Sequence, residues 1–163
     1  MADPARILPF ATQDEVAPAD VVTLWTREGA LSLEEATRRV REVLLVAVAG
    51  GEPAGVCTTY LQHNEQLRLP LWYFRTFVAA AHRRSDIAIK LLAASRDHLG
   101  ARHAQGIDRR AAGVLIELEN EGLKQRFPEA YWHRVDFTFI GLNPRGDHVY
   151  VHYFPGARVE GST

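Results

Sequence analysis

The sequence has a single cysteine, Cys57, among its 163 residues. One thiol cannot close an intramolecular disulfide or build a structural zinc site that needs several thiolates. This is typical of proteins from a reducing compartment, so we expect a cytoplasmic location. The N-terminal segment MADPARILPF also lacks a basic stretch followed by a long apolar one, so we predict no secretory signal.

Long hydrophobic runs and an excess of one charge are also missing. The longest apolar run, Val43 to Ala49, is far shorter than the ~20 residues that span a bilayer, so we expect no membrane partner. The formal net charge is -1, from 19 basic and 20 acidic residues. The arginine pairs at 83–84 and 109–110 accompany no nucleic-acid motif. We therefore expect no nucleic-acid partner.

The composition that remains is that of a globular protein, with 47% hydrophobic and 24% charged residues. The length fits one ordinary domain. We predict a single domain over residues 1–158 and a loose tail over residues 159–163. The sequence leaves a homodimer open.

Hydrophobic periodicity and turn residues predict an alternation of strands and helices. Pro18 and the capping-box pair Ser32 and Glu35 mark the starts of two helices, and Gly50-Gly51 marks a hairpin. Pro70, inside a strand-like segment, predicts a bulge or an edge strand. The predicted strands are Ile7–Phe10, Val43–Ala49, Glu52–Leu61, Leu67–Ala79, Val114–Leu118, Phe137–Ile140 and Val149–Phe154. The predicted helices are Ala17–Arg27, Ser32 through Val43, Ser85 through Leu99, and Glu121–Phe127.

The order of these elements, βααβββ-αβα-ββ, predicts an α/β (α+β) protein whose mixed, largely antiparallel sheet is flanked by helices. At Ser85 a strand, a short loop and a helix follow one another directly. The first turn of such a helix presents N–H groups without intrahelical acceptors, which favours a phosphate, and Arg83 and Arg84 add positive charge. A simpler interpretation stays open, in which Ser85 is an N-cap, Asp86 a first-turn acid and the arginines a solvated turn.

The same segment resembles the acyl-CoA signature of the GNAT acyltransferase superfamily, [Gln/Arg]-x-x-Gly-x-[Gly/Ala]. The signature aligns with Arg83 to Ala88, with Val78 ahead of it and Leu91-Leu92 behind it. The predicted order of elements is also similar to the GNAT order. The resemblance implies an N-acyltransferase that moves an acetyl or related acyl group from acetyl-CoA, or another acyl-CoA, to a primary amine of a small molecule or peptide.

The resemblance also assigns cofactor contacts to residues of this segment. Phe77 and Val78 would contact the pantetheine arm, and the amides of Arg84, Asp86, Ile87 and Ala88, in a loop that also contains Arg83 and Ser85, would hold the pyrophosphate. Asn120 matches a family position that contacts the cofactor arm. One residue departs from the pattern: Asp86 stands where the family has Gly, and its carboxylate would repel pyrophosphate.

The resemblance does not assign the general acid directly, because Phe127 occupies the position where the family has the Tyr that protonates the thiolate. Tyr131 is the predicted substitute, although a Tyr beside Trp132 is also typical of packing. Glu117 and Glu119 would share one side of a strand, and Glu119 is the candidate base, with a solvated or ion-paired face as the alternative. The second function left open is a non-catalytic GNAT-like module that binds a ligand or partner. Acyl-homoserine lactone synthesis has no recognisable signature here.

Three further patterns suggest a functional site but also have a purely structural interpretation. Arg75, among the aromatic residues 72–74, is a candidate for binding an acidic or aromatic acceptor, or else belongs to an ordinary strand. His148 and His152 are about 13 Å apart on a strand, too far for a shared zinc, so we predict no metal site. Cys57 lies among Val and Thr, which predicts a small core residue and not a nucleophile.

Overall fold

The structure, a computed structural model, describes residues 4–159. Within that range there are four helices and eight strands, with 3₁₀ turns at Phe10–Thr12, Val40–Glu42 and Ala80–His82. The helices are α1 (Pro18–Arg27), α2 (Leu33–Arg39), α3 (Ile87–Ala104) and α4 (Glu121–Arg126). The strands are β1 (Arg6–Pro9), β2 (Val43–Ala49), β3 (Glu52–Asn64), β4 (Leu69–Val78), β5 (Gly113–Leu118), β6 (Tyr131–Trp132), β7 (Phe137–Leu142) and β8 (His148–Tyr153).

The strands form one sheet in the order β1-β2-β3-β4-β5-β8-β7-β6. The pairs β1–β2, β2–β3, β5–β8, β7–β8 and β6–β7 are antiparallel, whereas β4 pairs with β5 in parallel over Trp72–Phe74 and Val114–Ile116. A parallel pair needs a long crossover, and α3 supplies it. The predicted class, a mixed and largely antiparallel sheet with helices, is confirmed.

The contacts divide the chain into two compact units. Unit 1 comprises the described residues up to Thr59 together with Arg75–Ser95. Its core consists of apolar residues from α1, α2, β2 and β3: Val16, Val21, Trp25, Ala36, Val46, Val48 and Val56. In α2, Ser32 accepts a hydrogen bond from the Glu35 amide, as the capping box predicts. The helix ends at Arg39, and Val43 already begins β2, so the predicted continuation through Val43 is wrong.

Unit 2 comprises Tyr60–Phe74 and the described residues from Arg96 onward. Its core joins the first half of β4 to β5 and β8 through Leu69, Leu71, Tyr73, Ala112, Leu115, Val149 and Val151. At Gly113 an added Cβ would lie 2.0 Å from the His152 carbonyl oxygen, so only glycine fits against the neighbouring strand. Pro70 lies on β4, which is not at an edge of the sheet, so the edge-strand alternative is wrong. Its carbonyl accepts the Ala112 amide at 2.9 Å.

Two smaller differences from the predicted elements concern the strands β6 and β3. The two-residue strand β6 was not predicted, because a pair of residues has no period; it is held by pairing of Tyr131 and Trp132 with β7. β3 continues to Asn64, three residues beyond its predicted end.

The predicted tail falls partly outside the described residues, and its first residue, Val159, is 75% exposed. No helix within residues 4–159 is long and apolar enough to cross a membrane.

Candidate functional site

The turn that follows β4 is the centre of the candidate site in unit 1. β4 ends at Val78, the 3₁₀ turn Ala80–His82 follows, and α3 begins at Ile87. The carbonyl of Asp86 accepts the amide of Lys90 at 3.0 Å, which is the first hydrogen bond of the helix. The amides of the first turn of α3 therefore have no intrahelical acceptors, and the positive end of the helix dipole lies there. The strand, turn and helix needed for an anion site are all present.

Ser85 has a different part from the one predicted. The helix begins two residues after it, and both its amide and its hydroxyl donate to the His82 carbonyl, at 3.1 and 2.5 Å. The Ile87 amide is 3.4 Å from the Ser85 hydroxyl oxygen. The helix thus begins near Ser85, as predicted, but two residues after it, because this serine closes the turn before the helix. Its amide is already occupied within the protein.

Asp86, the residue that departs from the family signature, has its charge compensated. Its carboxylate lies 3.3 Å from the Lys90 ammonium, one helical turn further on, and both side chains are about half exposed. The repulsion between this carboxylate and a bound phosphate is reduced by the adjacent positive charge and by solvent. The carboxylate that replaces glycine here therefore adds little net negative charge to the turn.

Arg83 folds back onto the end of β4. Its Nε donates to the Val78 carbonyl at 3.3 Å, and its guanidinium lies 5.6 Å from the centre of the Phe77 ring. A Glu28 carboxylate oxygen is 3.7 Å from the same guanidinium and accepts the Ala80 amide at 2.7 Å. Glu28 thereby ties the end of α1 to the turn. No local sequence signal points to it, because it precedes the turn by 52 residues.

Close packing of β3 on α3 fixes the position of this helix. A Cβ added at Gly55 would lie 3.0 Å from an Ile87 methyl group, 3.2 Å from the Phe77 carbonyl and 3.4 Å from Leu91. Gly55 thus lets the first turn of α3 approach the sheet closely. Gly55 therefore packs closely against both the start of α3 and the end of β4.

Three predicted site residues belong to unit 2: Glu119, Asn120 and Tyr131. Asn120 is the N-cap of α4, where its side-chain oxygen accepts the Leu123 amide at 3.1 Å. The Tyr131 hydroxyl donates to Asp136 at 2.6 Å, and this hydrogen bond raises the pKa of Tyr131. Phe127 packs edge-on against Trp132, with ring centres 5.9 Å apart.

The two strand glutamates are held by a cation that the sequence did not single out. Arg145 lies 3.5 Å from both the Glu117 and the Glu119 carboxylates and 3.1 Å from Asp147. Asn143 donates to Glu117 at 2.5 Å and to Asp147 at 3.0 Å, and the Asn143 bond lowers the pKa of Asp147. Glu117 lies on β5 and Glu119 just past its end, and both carboxylates belong to an ion-paired network with the β7–β8 turn, the alternative that the sequence left open.

A small cavity of about 40 Å³ lies within unit 1. Its lining residues come from α1, α2, β3 and the end of β4: Trp25, Arg39, Val56, Thr58, Arg75, Thr76 and Phe77. Thr58 is only 2% exposed, and its hydroxyl makes no hydrogen bond with any described residue. A buried polar group without a partner is uncommon and calls for an explanation.

Cys57 is fully buried, with its sulfur 3.2 Å from the Ser95 hydroxyl. Burial raises the pKa of the Cys57 thiol to about 11, so the thiolate that a nucleophile needs is scarce at neutral pH. The prediction of a core cysteine is confirmed. Among residues 4–159 no group of three or more His, Cys, Asp or Glu is arranged to hold a metal ion.

Unit 2 contains a wider cavity, of about 800 Å³, lined by Arg68, Arg109, Arg110 and Arg158 with His103 and apolar residues. Two of these arginines have internal partners. Arg109 donates to the His103 carbonyl at 2.9 Å, and Arg110 lies 2.8 Å from Asp108 and over the Trp72 ring. Much of this positive charge is therefore used to fasten the loop between α3 and β5.

No family model matches the chain, and no curated protein matches it by sequence. Solved structures do match. The GNAT-family acetyltransferase from Streptococcus pneumoniae is 12% identical with a TM-score of 0.63, over 92% of this chain and 99% of that one. AtaTR bound with AcCoA is 14% identical with a TM-score of 0.64, over 95% and 96%. AAC(6')-Ib with ribostamycin and coenzyme A is 15% identical with a TM-score of 0.59, over 98% and 100%. The chain therefore has the GNAT acetyltransferase fold.

Proposed function

We propose that this protein is an N-acyltransferase that moves an acetyl or related acyl group from acyl-CoA to a primary amine. The observation that carries the proposal is the turn between β4 and α3, which contains the exposed Arg84 and leads directly into the first-turn amides of α3, an arrangement that favours an anion. The structures bound with AcCoA and with coenzyme A have the same fold and support this cofactor class.

The residues of unit 1 would bind and orient the cofactor. The amides of Asp86, Ile87 and Ala88 would take the pyrophosphate, and the exposed guanidinium of Arg84 would add charge. The backbone at Phe77 and Val78 would align the pantetheine arm. The family resemblance also proposes Asn120 as a contact of that arm. The bound acyl-CoA supplies an activated thioester.

Transfer would be a direct attack. The C–N bond to the acceptor forms while the C–S bond breaks, the amine loses one proton, and the departing sulfur gains one. Backbone amides at the end of β4 would stabilise the developing oxyanion. Glu119 and Tyr131 remain the proposed base and acid. The ion pair of Glu119 with Arg145 and the hydrogen bond of Tyr131 to Asp136 favour a small contribution from each.

Acetyl-CoA binding tests the proposal directly. At 100 times its Kd, acetyl-CoA should raise the free energy of unfolding by ~2.7 kcal/mol. Ala88→Glu, which puts a carboxylate in the first turn of α3, should abolish this stabilisation. Ala101→Glu, on an exposed face of the same helix, is the matched control and should retain it. A wild-type protein that acetyl-CoA fails to stabilise would contradict the proposal.

A non-catalytic GNAT-like module is the second candidate. It is favoured by Phe127, which has no proton to give, and by Tyr131, whose hydroxyl proton is shared with Asp136. The two functions differ in thiol release: an enzyme releases CoA with at least one amine in a broad library, whereas the module binds acetyl-CoA and releases none.

A further inference from the structure

Of the residues that line the small cavity of unit 1, only Phe77 is also assigned to the cofactor. The cavity lining includes two arginines, Arg39 and Arg75, together with the buried Thr58. None of its seven lining residues has a carboxylate, and both arginines also interact with other groups of the protein, Arg39 with Glu35 at 3.2 Å. The lining therefore combines two cationic side chains and a buried hydroxyl with the apolar groups of Trp25, Val56 and Phe77.

Most of the rest of the lining is apolar. Trp25 is 3% exposed and Val56 1% exposed, and Phe77 packs on the same core. The cavity is open on the side of Arg75 and Thr76, which are exposed, and closed by these apolar groups on the other, so an ion pair formed against the apolar side is less screened than one on the open surface. Arginine is also the side chain best suited to hold a carboxylate, because its planar fork makes two parallel hydrogen bonds.

The volume limits what fits. A single water needs roughly 10–15 Å³ of such space, so about 40 Å³ holds a group of about three heavy atoms. A carboxylate group has three heavy atoms, one carbon and two oxygens. Its oxygens would also accept the Thr58 hydroxyl, which otherwise makes no hydrogen bond in the described residues.

We propose that this cavity binds the carboxylate of the acceptor, so that the substrates are amines carrying a carboxylate group. This inference rests on the proposed acyltransfer, because Phe77 lines the cavity while its neighbour Val78 would align the acyl donor. Arg75 and Val78 are three residues apart on β4, or about 10 Å at ~3.3 Å per residue. An acceptor that reaches from one to the other separates its amine from its carboxylate by several bonds, as γ-aminobutyrate and ε-aminocaproate do and glycine does not.

The first experiment compares acceptors that differ only in charge. Purified protein with saturating acetyl-CoA is given γ-aminobutyrate, its carboxamide γ-aminobutyramide, or butylamine, with thiol release as the readout. We expect kcat/KM for the carboxylate to exceed that for the carboxamide by about 10- to 100-fold, the range of a hydrogen-bonded ion pair. Equal values for the two compounds would overturn the inference and leave the acyltransferase proposal intact.

The second experiment removes the groups that read the carboxylate. Thr58→Val deletes the hydroxyl at nearly constant volume, and because this hydroxyl is buried without a partner, the melting temperature should stay the same or rise. Selectivity for the carboxylate should nevertheless fall several-fold, and Arg75→Gln should reduce it to less than about 3-fold. Thr59→Val, one residue along on the other face of β3, is the control and should keep the selectivity. Full selectivity in Thr58→Val would mean that the cavity holds only water.

A third measurement does not depend on turnover. γ-Aminobutyrate should raise the melting temperature of the wild type in the presence of CoA, and should do so less for Arg75→Gln. If acetyl-CoA stabilises the protein but γ-aminobutyrate and γ-aminobutyramide have the same effect, the carboxylate site is refuted. If acetyl-CoA itself has no effect, the proposed function fails instead, so the two failures are distinct.

Discussion

The two units use the polar groups of their candidate residues differently. In unit 1, side chains fasten the turn from outside: Glu28 holds the Ala80 amide, Arg83 lies on β4, and Lys90 compensates Asp86. At the start of α3 the Ile87 amide makes a long hydrogen bond to Ser85, and the amides after it have no intrahelical acceptor, which suits the proposed ligand. In unit 2 the corresponding candidates are bound to their own neighbours. Tyr131 donates to Asp136, and Glu119 pairs with Arg145.

The difference bears on cofactor binding in unit 1 and on proton transfer in unit 2. A backbone anion site needs a helix start in the correct place, and unit 1 has one. An acid or base needs a proton that is free to move at neutral pH, and unit 2 keeps such protons in internal hydrogen bonds. We therefore expect disturbance of unit 1 to act on acetyl-CoA affinity, and substitution of the unit 2 candidates to have small effects on kcat.

The largest effect is expected at Gly113 of unit 2. Gly113→Ala places a methyl group 2.0 Å from the His152 carbonyl oxygen, a backbone atom that cannot move without breaking the β5–β8 pairing. We expect a loss of about 3 kcal/mol or more in the free energy of unfolding, measured by denaturant titration. A nearly unchanged midpoint would mean that this strand pair is looser than its register indicates.

The buried thiol of unit 1 should make stability depend on alkaline pH. The folded-state pKa of Cys57 is raised by burial from 9.0 to about 11. The folded state therefore favours the neutral thiol, and the stabilisation is complete below about pH 9 and lost as the pH rises to about 11. The total is about 3 kcal/mol. Because lysines and tyrosines titrate in the same range, the measurement is the difference between wild type and Cys57→Ala; parallel pH profiles would contradict it.

Gly55→Ala tests whether the packing of unit 1 positions the turn. The added methyl meets the flexible Ile87 side chain at 3.0 Å and the Phe77 carbonyl at 3.2 Å, so we expect a loss of about 1–2 kcal/mol in stability. Acetyl-CoA affinity, measured by calorimetry, should fall as well because the start of α3 moves. Gly100→Ala on the same helix has only an ordinary contact, 3.5 Å from the Phe154 ring. It should add up to about 1 kcal/mol of stability without changing affinity.

Tyr131→Phe should have the smallest effect and is the sharpest test of unit 2. The Asp136 hydrogen bond raises the pKa of Tyr131, which makes the phenol a poorer proton donor to a thiolate. We expect kcat to fall by less than about 10-fold, with the alkaline limb of the kcat profile unchanged. A decrease of 100-fold together with loss of that limb would identify Tyr131 as the general acid and remove the contrast between the units.

Some features of the candidate site follow from adjacent residues and were predicted correctly. The β2 boundaries, the hairpin at Gly50-Gly51, and the succession of strand, turn and helix after Val78 depend on periodicity and turn chemistry, which are local. The shift of the α3 start from Ser85 to Ile87 is also local, but a serine that closes a turn and a serine that caps a helix have the same sequence signature.

Other features required the tertiary structure. Glu28 reaches the turn across 52 residues, and Arg145 reaches Glu117 across 28. The cavity around Thr58 joins α1, α2, β3 and β4. Nothing in the vicinity of these residues in the chain specifies such contacts, since they exist only after burial has brought distant segments together. The sequence by itself determined the order of the longer elements and the turn after β4 at which we propose an anion site, because those depend on short-range backbone preferences. Packing decided which charges are compensated, which protons are held in internal hydrogen bonds, and that the Thr58 hydroxyl is buried without a hydrogen bond to the described residues.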